Sequence, residues 1–247
     1  MDQDTWIGGP AHAFPATGLS LLVRAAAVDP NDRRAALDRL VSAYWKPVYK
    51  YIRLRWHAGN EDAKDWTQEF FAVALERDYL QKYDPARARF RTYLRTCVDG
   101  FVANQLKAAS RVKRGGGAEL LSLDFHAADA ELAQAKASSD PEELFHREWI
   151  RNLFQMAVDA LERGCAANGR PEVFTVFARY DLDPPQEKTT YREVADELGI
   201  TPTQLNNYLA SARRKFRELV LERLAEVCAT DEELQAEASL LFGASRK

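Results

Sequence analysis

The sequence predicts an all-α protein: two helical domains joined by a flexible linker, the second ending in a helix-turn-helix. Three observations carry that reading. From Gly18 to Ala109 apolar residues recur at the three-and-four spacing of amphipathic helices, and strand-like alternation is scarce. At Arg114 the character changes to a glycine-led, small and polar stretch, "RGGGAELLSLDFHAADAELAQAKASSDP". Beyond it helical patterning resumes and ends in two apolar stripes that meet at Gly199. A chain of 247 residues is long enough for one large or two small domains with real cores.

Residues 1–17, with Gly8, Gly9, Pro10 and Pro15, read as a loose arm. The first domain, residues 18–113, offers three apolar faces. Leu37, Leu40, Val41, Tyr44, Trp45, Val48, Tyr51, Ile52 and Leu54 form one; Trp66, Phe70, Val73 and Ala74 a second; Phe90, Leu94, Cys97 and Phe101 a third. They are expected to pack as a bundle with the aromatics in its core. Residues 114–140 read as an interdomain linker with apolar contacts at Leu121 and Leu123. Ser138, Ser139, Asp140 and Pro141 then signal a helix start.

The second domain, residues 141–228, opens with "LFHREWIRNLFQMAVDAL" and breaks from Gly164 to Pro171. "EVFTVFARY" follows, then a proline break at Pro184 and Pro185. In the final element Val194, Ala195 and Leu198 make one stripe, and Gly199 tolerates a left-handed turn. Ile200 is placed to plug the corner, Thr201-Pro202 starts a helix, and Leu205 and Leu209 continue the stripe. The tail, residues 229–247, carries Asp231, Glu232, Glu233 and Glu237 and is expected to be a short exposed helix.

A formal net charge of −3 means that any nucleic-acid surface must be local. Cys97, Cys165 and Cys228 form no CxxC pair, so neither a disulfide framework nor a zinc site is indicated. Without a charged-then-apolar leader or an apolar run of membrane-spanning length, a soluble cytoplasmic protein is expected, needing no cofactor and no membrane.

Three segments carry chemistry. Between Thr201 and Arg217 no acidic residue interrupts a helix that ends in Arg213, Arg214, Lys215 and Arg217. Its polar face offers Thr203, Gln204, Asn206 and Asn207, whose side chains can read base edges in a major groove. An ordinary helical hairpin with cations suiting its dipole is the plainer reading. In "NEDAKDWTQEFFAVALER", Asp62, Asp65, Glu69 and Glu76 fall on one narrow stripe beside a buried aromatic face. Such an acidic rail suits a basic helix on a partner; solvated charge and a carboxylate metal site are the alternatives. No Glu-x-x-His occurs in this region, and His57 precedes the helix proper, so no metal is expected. From Asp84 to Arg114, eight cations stand against two carboxylates, with Phe90, Tyr93 and Asn104 among them. That mixture suits a phosphate backbone and unstacked bases, although Phe90 reads as core.

In this order the segments resemble a bacterial RNA polymerase sigma factor of the extracytoplasmic-function group. The matching stretches are "DAKDWTQEFF", "FRTYLRTCVDGFVANQLK" and "YREVADELGITPTQLNNYLASARRKFREL", spanning sigma domains two and four with no domain three between. The resemblance implies that Asp62, Asp65, Gln68 and Glu69 dock on the beta-prime clamp of core RNA polymerase. It implies that the loop from Gln81 to Arg89 and the following helix open and hold the minus-ten promoter element. Arg87, Arg91, Arg95, Lys107 and Arg111 would follow a single-strand backbone there, with Tyr93 and Asn104 at exposed bases. Thr201, Thr203, Gln204, Asn206, Asn207, Arg213 and Arg214 would bind the minus-thirty-five element, with neighbouring apolar surface on the beta flap. The partners implied are core polymerase, double- and single-stranded promoter DNA, and an anti-sigma factor as an external regulator. A non-enzymatic role in promoter recognition and opening follows. The rival is a helix-turn-helix regulator that never joins polymerase; a metal-dependent hydrolase lacks convergent ligands.

Overall fold

The computed structural model describes residues 30–76, 79–109, 123–132, 140–183 and 191–243. Among them every regular element is helical: α1 (Pro30–Arg55), α2 (Asn60–Glu76), a 3₁₀ turn (Tyr79–Lys82), α3 (Phe90–Ala109), α4 (Phe125–Leu132), α5 (Pro141–Ala167), α6 (Pro171–Phe177), a π turn (Ala178–Leu182), α7 (Tyr191–Glu197), α8 (Pro202–Val227) and α9 (Asp231–Phe242). No described helix is long and apolar enough to cross a membrane. The arm, Leu121, Pro184, Pro185 and Arg111 lie outside the described residues.

The chain forms two compact units. The described residues up to Leu153 make the first, together with Ala225–Leu234; Phe154–Leu224 and the described residues from Gln235 onward make the second.

In the first unit α1 is the central element. Leu40, Val41, Tyr44, Trp45, Val48, Tyr51 and Ile52 are buried as their spacing predicts, and so are Tyr49 and Lys50, which the spacing does not predict. Pro47 sits inside this helix without ending it. From α2, Ala63, Thr67, Phe70 and Ala74 turn inward at helical period; the Thr67 hydroxyl donates to the Ala63 carbonyl at 2.7 Å, which satisfies it in the core. α3 contributes Phe90, Leu94, Val98, Phe101 and Val102.

Part of the stretch expected as linker is packed helix. In α4, Phe125 meets the rings of Trp45 and Tyr49 edge-on at 5.4 and 5.0 Å, and Ala128 is fully buried. Glu131 pairs with Lys46 and Lys50, and Asp129 accepts from Tyr49 and Asn60. The first half of α5 belongs to the same unit. Asp140 caps it by accepting the Glu142 N–H at 2.9 Å, and Trp149 stacks on Tyr44 while Phe145 meets Tyr51 edge-on. The division between units therefore falls inside α5, after Leu153, whereas the sequence reading sets the boundary at 114–140. The reason is local: Phe125, Phe145 and Trp149 bury large aromatic area against α1.

The second unit holds a small cluster of Val176, Val194, Ala195, Leu205 and Leu209, flanked by Tyr180, Leu198, Ile200 and Tyr208. Phe216 packs against Phe154 and Phe177 at 5.6 and 5.3 Å. The part of α9 in this unit is not the exposed helix that its acidic sequence predicts, since Glu237 and Ala238 are buried. At its end the Phe242 ring lies 4.4 Å from the Arg217 guanidinium.

Candidate functional site

The corner between α7 and α8 is built as the sequence predicts. Gly199 takes φ 65°, the left-handed region that glycine tolerates. The Gly199 N–H donates to the Asp196 carbonyl at 3.2 Å and the Ile200 N–H to the Ala195 carbonyl at 2.9 Å, which closes α7 with a Schellman motif. Ile200 then packs back on the Val194–Ala195 cluster. Across the turn, the Thr201 N–H donates to Gln204 Oε1 at 2.9 Å and the Gln204 N–H to Thr201 Oγ1 at 3.2 Å. This reciprocal capping box sets the first turn of α8. Thr201 and Gln204, expected to face DNA, are exposed, and Thr201 Oγ1 and Gln204 Oε1 are engaged in this cap.

With Leu205, Leu209 and Ala212 turned inward, Thr203, Asn206, Asn207, Ala210 and Arg214 are exposed on the opposite face. Arg213 departs from its expected role. Its Nε and Nη2 bind the Asp181 carboxylate at 2.9 to 3.2 Å, with both side chains largely buried. Lys215 is exposed and pairs with Glu218 at 3.2 Å. In the same unit a groove of about 440 Å³ opens between the end of α5 and α8, lined by Leu161, Cys165, Arg170, Ala212, Lys215 and Leu219.

On α2, Asp62, Asp65 and Glu69 are exposed and Gln68 is half-buried, opposite the inward Ala63, Thr67 and Phe70. The Glu76 side chain lies outside the described residues.

The basic helix α3 differs most from expectation. Arg91 is buried, its guanidinium 5.3 Å from the Trp149 ring centre. Arg95 donates through Nε to Glu142 at 2.7 Å and through Nη1 to Asp99 at 2.9 Å. Asp99 also accepts from the Tyr51 hydroxyl and the Trp56 indole N–H, each at 3.0 Å. Tyr93 is half-buried; its hydroxyl donates to the Tyr79 carbonyl at 2.7 Å and its ring lies against Tyr83 and Phe90. Burial pushes the Tyr93 phenol above its ordinary range. Arg87, Asn104 and Lys107 are exposed, with Arg87 also reaching Asp84 at 3.3 Å. In these contacts Arg91 and Arg95 are structural cations rather than surface ones.

Sequence reading missed three of these partners. The capping box was legible as Thr-x-x-Gln before an apolar run. Asp181 and Glu142 left no local signal, because they lie 32 and 47 residues from Arg213 and Arg95. Comparison with protein-family models, with curated proteins and with solved structures returns no match.

Proposed function

We propose that this chain is a sigma factor of the extracytoplasmic-function type, which binds core RNA polymerase, recognises promoter DNA and helps to open it. The observation that carries the reading is the exposed face of α8. Thr203, Asn206, Asn207 and Arg214 stand together over a closed apolar corner, free of acidic residues. Amide side chains on the first turns of a helix behind a tight turn suit base edges in the major groove, and a cation further along suits phosphate. On this reading α7 and α8 are a helix-turn-helix, and the exposed carboxylates of Asp62, Asp65 and Glu69 meet basic surface on the polymerase clamp. The groove beside Leu161 and Leu219 would receive the apolar flap.

A regulator that binds duplex DNA without polymerase is the second reading. One observation favours it: Arg91 and Arg95 are engaged inside the protein, and a regulator needs no single-strand surface on α3. Capture of core polymerase by the tagged chain separates the two. A sigma factor retains core polymerase and loses it when Asp62, Asp65 and Glu69 are changed together to Lys. A regulator captures none, and equal capture by wild type and triple variant removes the acidic face from the interface.

A further inference from the structure

We infer that Glu142 is an internal stand-in for a DNA phosphate, holding the Arg95–Thr92 end of α3 closed until a nucleic-acid strand displaces it; this rests on the reading of α3 as a strand-binding helix. The Glu142 carboxylate accepts from the Thr92 hydroxyl with one oxygen and from Arg95 Nε with the other, both at 2.7 Å. A hydroxyl and a guanidinium converging on two oxygens of one anion are the donors with which proteins grip a phosphate.

The two carboxylates on Arg95 differ in kind. Asp99 lies four residues along the same helix and also accepts from Tyr51 and Trp56, so it anchors the guanidinium from behind. Glu142 arrives from another helix, 47 residues away, and its side chain is 40 % exposed, against 20 % for Arg95. Carboxylate and phosphate both offer two oxygens to the same donors, so exchange of one anion for the other keeps the charge-assisted bonds of Arg95 and Thr92. Glu142 also sits in the first turn of α5, while the residues that fix this helix to the unit, Leu144, Phe145 and Trp149, follow it. Helix ends open locally at small cost, so Glu142 can leave without unpacking those three.

Replacing carboxylate by phosphate would keep Arg95 in its Asp99 anchor and satisfy Thr92. In the free protein the closed clasp lowers apparent affinity for a strand by the fraction of molecules that are open. Glu142→Gln keeps the shape and an acceptor for Thr92 but removes the charge that holds Arg95.

The test is titration of the full chain, wild type and Glu142→Gln, with a fluorescein-labelled single-stranded oligo-dT at several salt concentrations. Glu142→Gln should bind about tenfold more tightly at low salt, the size of one charge-assisted hydrogen bond. Its log-affinity should fall more steeply with log salt, by about 0.7 for one added single-strand phosphate contact. Adding Arg95→Gln should erase the gain. Equal affinity and slope in wild type and Glu142→Gln overturns the clasp, as does a gain that survives Arg95→Gln, or no binding by either protein. Run-off transcription with core polymerase separates the two ideas. A promoter-dependent transcript from a protein whose strand affinity ignores Glu142 sinks the clasp alone, and no transcript on any promoter sinks the sigma reading.

Discussion

Arg213 holds Asp181 with two nitrogens, Nε and Nη2, at 2.9 to 3.2 Å, and so ties α8 to the π turn after α6. A planar guanidinium matched to a carboxylate in a largely buried setting is a fixing contact. Asp181→Asn or Arg213→Ala should lower unfolding stability by about 1–3 kcal/mol, since each leaves a charged partner poorly satisfied. Urea unfolding of both singles and the double variant checks this; the double should cost less than the sum of the singles.

Arg214, one residue on, is exposed and should behave in the opposite way. Arg214→Ala should change stability by less than about 0.5 kcal/mol. It should weaken binding to all duplex sequences alike and flatten the salt slope by about one. A sequence-dependent loss would move Arg214 from phosphate to base contact.

The Thr201–Gln204 box separates structure from recognition in the same turn. Thr201→Ala should cost about 0.5–2 kcal/mol of stability through the lost cap. Asn206→Ala and Asn207→Ala should leave stability within about 0.5 kcal/mol, and each should remove about 1–3 kcal/mol of discrimination at one base position. Thermal melts and binding to a panel of duplexes measure the two effects separately.

Lys50 and Glu148 form a fully buried pair at 3.2 Å in the first unit. Removing the cation, as in Lys50→Met, should destabilise by about 1–3 kcal/mol, because Glu148 loses a buried donor and keeps only Arg147 and Arg151. Lys50→Met with Glu148→Leu should restore most of that loss or exceed wild type. Arg147 and Arg151, which also touch Glu148, are partly exposed and can turn to water.

Burial pushes the Tyr51 phenol up from 10.0 to about 12, and its Asp99 partner adds to the rise. A group whose pKa is raised on folding gives stability that is whole below its unfolded value and fades as pH climbs to the folded one. Stability should therefore hold to about pH 10 and fall between pH 10 and 12. Thermal midpoints across that window, followed beside tyrosine absorbance, check it; a flat profile would contradict the buried phenol.

Much of the fold was legible because helical period alone places Leu40, Tyr44, Val48, Phe70, Phe90 and Leu94 in the core, and Gly199 marks the corner. Period is silent on long-range partners. Nothing near Phe125 or Glu131 in the sequence says that they dock on Trp45 and Lys50, so a docked helix reads as linker. The same silence explains the site. Asp62, Asp65, Glu69, Asn206 and Asn207 reach solvent because exposure follows from the opposite face being apolar. Arg91, Arg95 and Arg213 are basic in the sequence but neutralised or covered by Trp149, Glu142 and Asp181, and composition does not record pairing.

Run-off transcription from a promoter library by core RNA polymerase with and without the purified chain, with permanganate probing of unpaired thymines on the same templates, distinguishes a sigma factor from a polymerase-independent regulator. The sigma reading predicts promoter-specific transcripts and open minus-ten DNA only when the chain is present, both lost when Asp62, Asp65 and Glu69 are changed together to Lys. Duplex binding by the chain with neither transcripts nor permanganate reactivity on any promoter would contradict it and leave the polymerase-independent regulator in its place.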